Sequence, residues 1–146
     1  MKLKNLFILS VLALTLAACE DSGINESLAT APKDMSGKTM KIDGATIKFS
    51  SNSSATISDY IGTAKRATVS YKRTSEITAH LNFFYHSEDQ DSMSERTYNL
   101  DLTFADPTQG LASGSYTYKL TIHKGTKYET SDSGSKNVKN KIFSVN

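Results

Sequence analysis

The chain has 146 residues, a formal net charge of +2 and a single cysteine, Cys19. Lys2 and Lys4 account for the whole surplus, so residues 19–146 carry equal numbers of acidic and basic side chains. That excludes the excess of cations a nucleic-acid binder needs to displace counterions, one cysteine excludes an internal disulfide, and the length excludes two ordinary domains.

Met1, Lys2 and Lys4 precede an apolar run, Leu6 to Ala18, broken only by Ser10 and Thr15. A basic start, a short apolar stretch and small residues before a cut describe a secretory signal. The run is too short to span a bilayer, which needs roughly 20 residues. Leu16-Ala17-Ala18-Cys19 resembles the lipobox of bacterial lipoproteins. The resemblance implies cleavage between Ala18 and Cys19, a diacylglycerol thioether on the Cys19 sulfur as lipid attachment, and acylation of the new amine. Two lipid-bearing groups suffice for stable anchoring, and lipidation also removes a free thiol from an oxidising compartment. Residues 1–18 are thus a signal peptide. Glu20 rather than Asp follows Cys19, which by resemblance to the sorting pattern of enteric bacteria implies the outer membrane. Glu20-Asp21 also resembles the acidic surface-export signals of other bacteria, so the domain faces the periplasm or the cell surface.

Residues 19–36 read as a lipidated, flexible tether. Glu20 to Ser36 is rich in small polar residues, with Gly23 and Pro32 as breakers and only Ile24, Leu28 and Met35 as larger apolar side chains. So little apolar surface does not offset the entropy of ordering, and the segment is expected to stay mobile, reaching on the order of 20–25 Å.

From residue 37 to 146 the pattern has period two. Met40 and Ile42 alternate with polar residues, Asp43-Gly44 supplies a hairpin turn, and Ile47 and Phe49 alternate again. Asn52-Ser53-Ser54 gives the next turn before Ile57 and Ile61; Gly62-Thr63 leads to Ala67, Val69 and Tyr71. A short helix over Ser58 to Ala67 competes there and is weakened by Gly62 and Thr63. Ile77, Ala79, Leu81, Phe83 and Tyr85 share one face of a strand from Glu76 to His86. Tyr98, Leu100, Leu102 and Phe104 define another strand, and Tyr116, Tyr118, Leu120 and Ile122 a third. Tyr128 marks a short strand, and Phe143 with Val145 closes the chain. The fold class is all-β: an antiparallel meander of eight or nine strands, one face buried and one wet, forming a small barrel or barrel-like sandwich. All seven tyrosines lie beyond the tether, where packing is their first role and a Tyr-lined barrel mouth is the place for a small ligand.

Chemistry-bearing residues are scattered. His80 and His86 lie on the outward side of one strand, roughly 20 Å apart and too far to share a metal; His123 is out of phase with the buried face and points to solvent. Glu88, Asp89, Asp91 and Glu95 sit in a loop lacking the glycine and spacing of an EF-hand, so a solvated hairpin loop is expected. Ser113 misses the spacing of a nucleophile elbow, and Ser36-Gly37-Lys38-Thr39 has Pro32 where the first glycine of a P-loop belongs. No metal, no cofactor and no enzyme activity are expected. Basic clusters at Lys65, Arg66, Lys72 and Arg73, and again at Lys119 to Lys141, read as solvated edges and loop tips.

Gln109 to Tyr116 together with His123-Lys124-Gly125 resembles the Ser-Gly and Lys-Gly segments of the membrane-bound lysozyme inhibitor family, whose extra cysteines this chain lacks. The resemblance implies an inhibitory loop in which Ser113 and Lys124 reach into a lysozyme cleft. The plainer reading makes Gly114 and Gly125 turn glycines bracketing a strand. The function expected is that of a non-enzymatic envelope lipoprotein, held to the membrane by its lipid, binding a protein partner or small ligand; the alternative is inhibition of a cell-wall hydrolase such as lysozyme.

Overall fold

Every element among the described residues is a strand, because side chains suited to a half-buried pleat alternate with polar ones and Gly, Asn and Asp punctuate the runs. A computed structural model describes residues 30–146; the expected signal peptide, Cys19 and the first part of the expected tether lie outside the described residues. The strands are β1 (Thr39–Ile42), β2 (Ala45–Ser51), β3 (Ser54–Ser58), β4 (Arg66–Arg73), β5 (Thr78–Glu88), β6 (Ser92–Asp106), β7 (Gln109–Ile122) and β8 (Thr130–Val145). They form one antiparallel sheet in the order β3-β2-β1-β8-β7-β6-β5-β4.

The last strand returns to the first, with Met40 opposite Val145 and Ile42 opposite Phe143. The outer strands of the series, β3 and β4, then come together through the Ser58–Thr63 bridge and backbone bonds from Ala64 to Ile57 (2.8 Å) and from Tyr71 to Asn52 (2.8 Å). The meander is therefore a nearly closed barrel. Its interior holds one core, including Met40, Ile47, Ile57, Leu81, Leu100, Leu102, Phe143 and Val145, all 2 % exposed or less. Each such side chain contributes about 1.5–3 kcal/mol by leaving water.

Several expectations need correction. Residues 31–36, assigned to the mobile tether, are part of the folded domain. Ala31 and Met35 are buried in the core. The Ala31 amide donates to the Glu76 carbonyl (2.6 Å), the Tyr71 hydroxyl to the Pro32 carbonyl (2.8 Å) and the Met35 amide to Asn52 Oδ1 (2.7 Å). The segment caps the barrel end where β4 gives way to β5. Two apolar side chains four residues apart look too few to order a chain, but the barrel end offers both a socket and backbone partners.

Between β3 and β4 there is no helix. Asp59 Oδ1 accepts from the amides of Ile61 (2.9 Å) and Gly62 (3.3 Å), and this local turn keeps Ile61 out of a strand. Ile77 precedes β5 and is exposed rather than sharing its buried face. Tyr128 lies in the β7–β8 loop, 66 % exposed, and the strand after it runs unbroken from Thr130 to Val145 instead of closing only around Phe143. Gly114 is not a turn residue. It sits inside β7 opposite Leu100, at a register shift against β8, where a Cβ would land on the Asn99 carbonyl oxygen.

Candidate barrel-mouth site

Strand lengths decide where a ligand could sit. β1 has 4 residues and pairs with β8 only over Phe143–Val145, while β6, β7 and β8 have 15, 14 and 16. At the end opposite the N-terminal cap, the upper parts of β6, β7 and β8 therefore stand above the rim. Their inward positions, which would be core in an even-walled barrel, form a face that is half-buried at Tyr116, Tyr118 and Leu120 and exposed at Asp132, Gly134 and Lys136.

Register organises that face into rows. Phe83, Tyr98, Tyr116 and Lys136 lie side by side on β5 to β8; above them come Tyr85, Arg96, Tyr118 and Gly134; above these, Ser87, Ser94, Leu120 and Asp132. The lower row is a stack of rings, Phe83 to Tyr98 at 4.4 Å and Tyr98 to Tyr116 at 4.8 Å between centroids. Cross-strand aromatic pairs of this kind add about 0.5–1.5 kcal/mol each beyond their burial. The cations reach diagonally. The Arg96 guanidinium lies 5.8 Å from the Tyr116 ring and Lys136 Nζ 4.9 Å from the Tyr118 ring, both within range of cation–π attraction. Gly134 leaves room beside the Tyr118 ring.

Hydrogen bonds tie the face to the β1–β2 turn. The Tyr98 hydroxyl donates to Asp43 Oδ2 (3.1 Å) and accepts from Arg96 Nη1 (3.3 Å), so one phenol joins the guanidinium to a carboxylate. Asp43 Oδ1 lies 3.9 Å from Lys141 Nζ, and Tyr118 donates to Asp132 Oδ2 (3.0 Å). Burial pushes the Tyr98 phenol up to about 12 and that of Tyr85 further, so both stay protonated donors. Five buried polar atoms lack a partner among the described residues: Arg96 Nε, Tyr85 Oη, Ser87 Oγ, Ser94 Oγ and Asp59 Oδ2. Four of them belong to the two upper rows, and an unpaired buried polar group costs about 1–3 kcal/mol.

The outer wall beside the mouth carries an ion network. His86, placed outward by alternation and expected to meet solvent, is only 9 % exposed. Its Nδ1 lies 3.0 Å from Glu95 Oε1 and its Nε2 3.7 Å from Glu88 Oε2. Glu88 also bonds Lys124 and, at 3.0 Å, Lys65; the Lys124 amide donates to Asp91 (3.0 Å) and so pins the β7–β8 loop onto the β5–β6 hairpin. The acidic loop expected over residues 88–95 is thus a tight hairpin in which Asp89 Oδ1 accepts from Asp91 and Ser92. His80 pairs with Asp101 (2.9 Å) farther down the wall, and His123 lies 3.5 Å from Asp91. Among the described residues no three His, Cys, Asp or Glu side chains converge as metal ligands.

Hydrogen bonds from Lys124 first, then Lys65, hold the Glu88 carboxyl at about 2, against its ordinary 4.5. A carboxyl depressed on folding stabilises the protein fully above its unfolded value and loses that contribution as pH falls from about 4.5 towards about 2. In an NMR titration Glu88 is expected to titrate near 2, and Lys124→Ala to move it upward. An ordinary midpoint in the unaltered protein would show that the network does not form in solution.

The residues singled out for inhibition are not brought together. Ser113 lies on the outer wall within β7, where its Oγ accepts from the Asn140 amide (3.2 Å). Lys124 lies beyond the far end of the same strand, ~30 Å away. Arg96, Lys136 and Asp43 were missed as a group. Arg96 was nonetheless legible: it has the parity of Tyr98, Leu100 and Leu102, so alternation alone aims it inward. Compared with known proteins, the chain matches no family model, and no curated protein or solved structure is significantly similar to it.

Proposed function

We propose that the chain is a lipid-anchored envelope protein without enzymatic activity, tethered at Cys19 to the outer membrane and binding a protein or small ligand at the barrel mouth. The observation that carries this reading is polar: the N-terminal segment reaches the barrel at one end and caps it, and the ring-and-cation face opens at the other. A membrane attached through residues 19–30, which span at most about 40 Å, then lies beside the closed end. The mouth points away from it. Half-exposed Tyr116 and Tyr118 with unpaired polar atoms beneath them are the features of a recognition surface, since side chains kept only for packing are covered and satisfied.

Mass spectrometry of the protein from native membranes tests the anchor, with a triacylated N-terminal Cys19 as the expected species. A bare thiol there, or release of the unaltered protein into the medium, overturns it. Crosslinking in intact envelopes tests the mouth. Tyr118→Ala should abolish whatever adducts the unaltered protein forms, and Thr117→Ala on the outer wall should leave them. Equal loss in both would remove the mouth from the reading.

A further inference from the structure

Resting on the reading of the mouth as a ligand site, we propose that its ligand is an acidic saccharide, with the negative group held between Arg96 and Lys136 above Tyr116 and Tyr118. Neither Arg96 nor Lys136 is within ion-pair distance of a carboxylate among the described residues, although four lysine or arginine pairs with carboxylates form elsewhere. The two cations stand instead on tyrosine faces, on the strands flanking β7. Two strand spacings separate β6 from β8, about 10 Å, which leaves a gap the width of a sugar ring with its substituents.

The carboxylates of the mouth are turned to other partners. Asp43 is engaged by Tyr98 and Lys141, and Asp132 by the Tyr118 hydroxyl. Asp59 spends Oδ1 on two backbone amides. A guanidinium with a buried, unpartnered Nε is suited to a carboxylate or phosphate, which accepts from the planar fork of Nε and a terminal nitrogen. The remaining orphans argue for hydroxyl groups on the same ligand. Tyr85 Oη, Ser87 Oγ and Ser94 Oγ each donate and accept, and Asp59 Oδ2 accepts only. Flat tyrosine faces beside them match the CH-rich face of a pyranose. An acidic peptide would satisfy the cations, but an extended backbone offers no pyranose face to the tyrosine rings.

The test uses the purified full chain in detergent. Tyrosine fluorescence is its readout because the chain has no tryptophan, and the Arg96 Nε–H resonance is a second, local one. Trigalacturonate offers a carboxylate, glucose 6-phosphate a phosphate, maltotriose neither, and a polyglutamate peptide carboxylates without the sugar. Saturable shifts of Arg96 Nε–H with trigalacturonate or glucose 6-phosphate are expected, and whichever binds more tightly identifies the source of the charge. Arg96→Gln should weaken that binding about tenfold or more, and Lys136→Gln severalfold, with loss at high salt. Lys136 is exposed, so its variant folds even if the Arg96 variant does not. Equal binding of maltotriose overturns the acidic class while leaving the mouth as a ligand site, and tighter binding of polyglutamate replaces the sugar with a peptide. Binding indifferent to Lys136→Gln, or no shift of Arg96 Nε–H with either acidic sugar, also overturns the proposal.

Discussion

Gly110→Ala is expected to destabilise the domain by about 3 kcal/mol or more, enough to leave a marginally stable barrel largely unfolded at physiological temperature. Gly110 lies near the start of β7, beside the β6–β7 turn, between Phe104 of β6 and Phe143 of β8. A Cβ there would clash with the Thr103 carbonyl oxygen and stand 2.8 Å from Phe143 Cζ and 2.9 Å from Phe104 Cα. Two of these three neighbours are backbone atoms of a strand held on both sides, so they cannot rotate away as a side chain would. Relief requires opening the β6–β7 pairing or expelling the Phe143 ring, whose edge packs on Phe104 at 4.9 Å between centroids. Overpacked sites that force backbone shifts commonly lose 1–3 kcal/mol, and this one combines a steric and a pairing loss. Gly134→Ala is the control, because its Cβ would meet only the Tyr118 ring, at 3.3 Å, in an exposed part of β8. Urea midpoints should fall sharply for the first and little for the second. Matching midpoints for Gly110→Ala and the unaltered protein would mean that β7 does not pass between Phe104 and Phe143 as described.

Met35→Ala should cost about 2–5 kcal/mol, the range for emptying a fully buried methionine site. Deleting the chain up to Ser36 should cost more. The deletion removes Met35 and Ala31 from the core and strips partners from Asn52, the Glu76 carbonyl and the Tyr71 hydroxyl. Tyr71, whose phenol burial pushes up to about 12, would then face water across the open barrel end. Thermal melts of the two variants beside the full chain decide the matter. A tether that merely hangs from the domain predicts no change in either, so unchanged melting would return residues 31–36 to the linker.

Most of the strands could be read from local pattern. Asp43-Gly44 between Met40-x-Ile42 and Ile47-x-Phe49 gave β1 and β2, and the alternation around Leu81 and Leu100 gave β5 and β6. The stretch from Thr130 to Ile142 could not be read this way. Apart from Val138 and Ile142 its side chains are polar or absent on both faces, because most of this strand stands above the barrel and only Val138 within it is buried. Hydrophobic period fails as a signal wherever a strand is wet on both sides. His86 illustrates the opposite error. Parity placed it outward correctly, but Glu95 and Glu88 flank its ring there, and Glu88 is itself held by Lys124 and Lys65 from distant parts of the chain.

The mouth was half legible. A Tyr-lined opening follows from tyrosines sharing the parity of the core, and Arg96 shares it too. What parity does not say is that Lys136 stands beside Tyr116, or that Asp43 meets Tyr98 across 55 residues of sequence.

By itself, the order of residues determined an antiparallel meander, because period-two alternation and turn chemistry act between neighbours in the chain. Only the tertiary structure decided closure of the barrel through β1 and β8, the cap made by Ala31 and Met35, and the unequal wall that exposes Arg96 and Lys136. Those features depend on the register between segments far apart in sequence, which is set by the packing of the whole core rather than by any local preference.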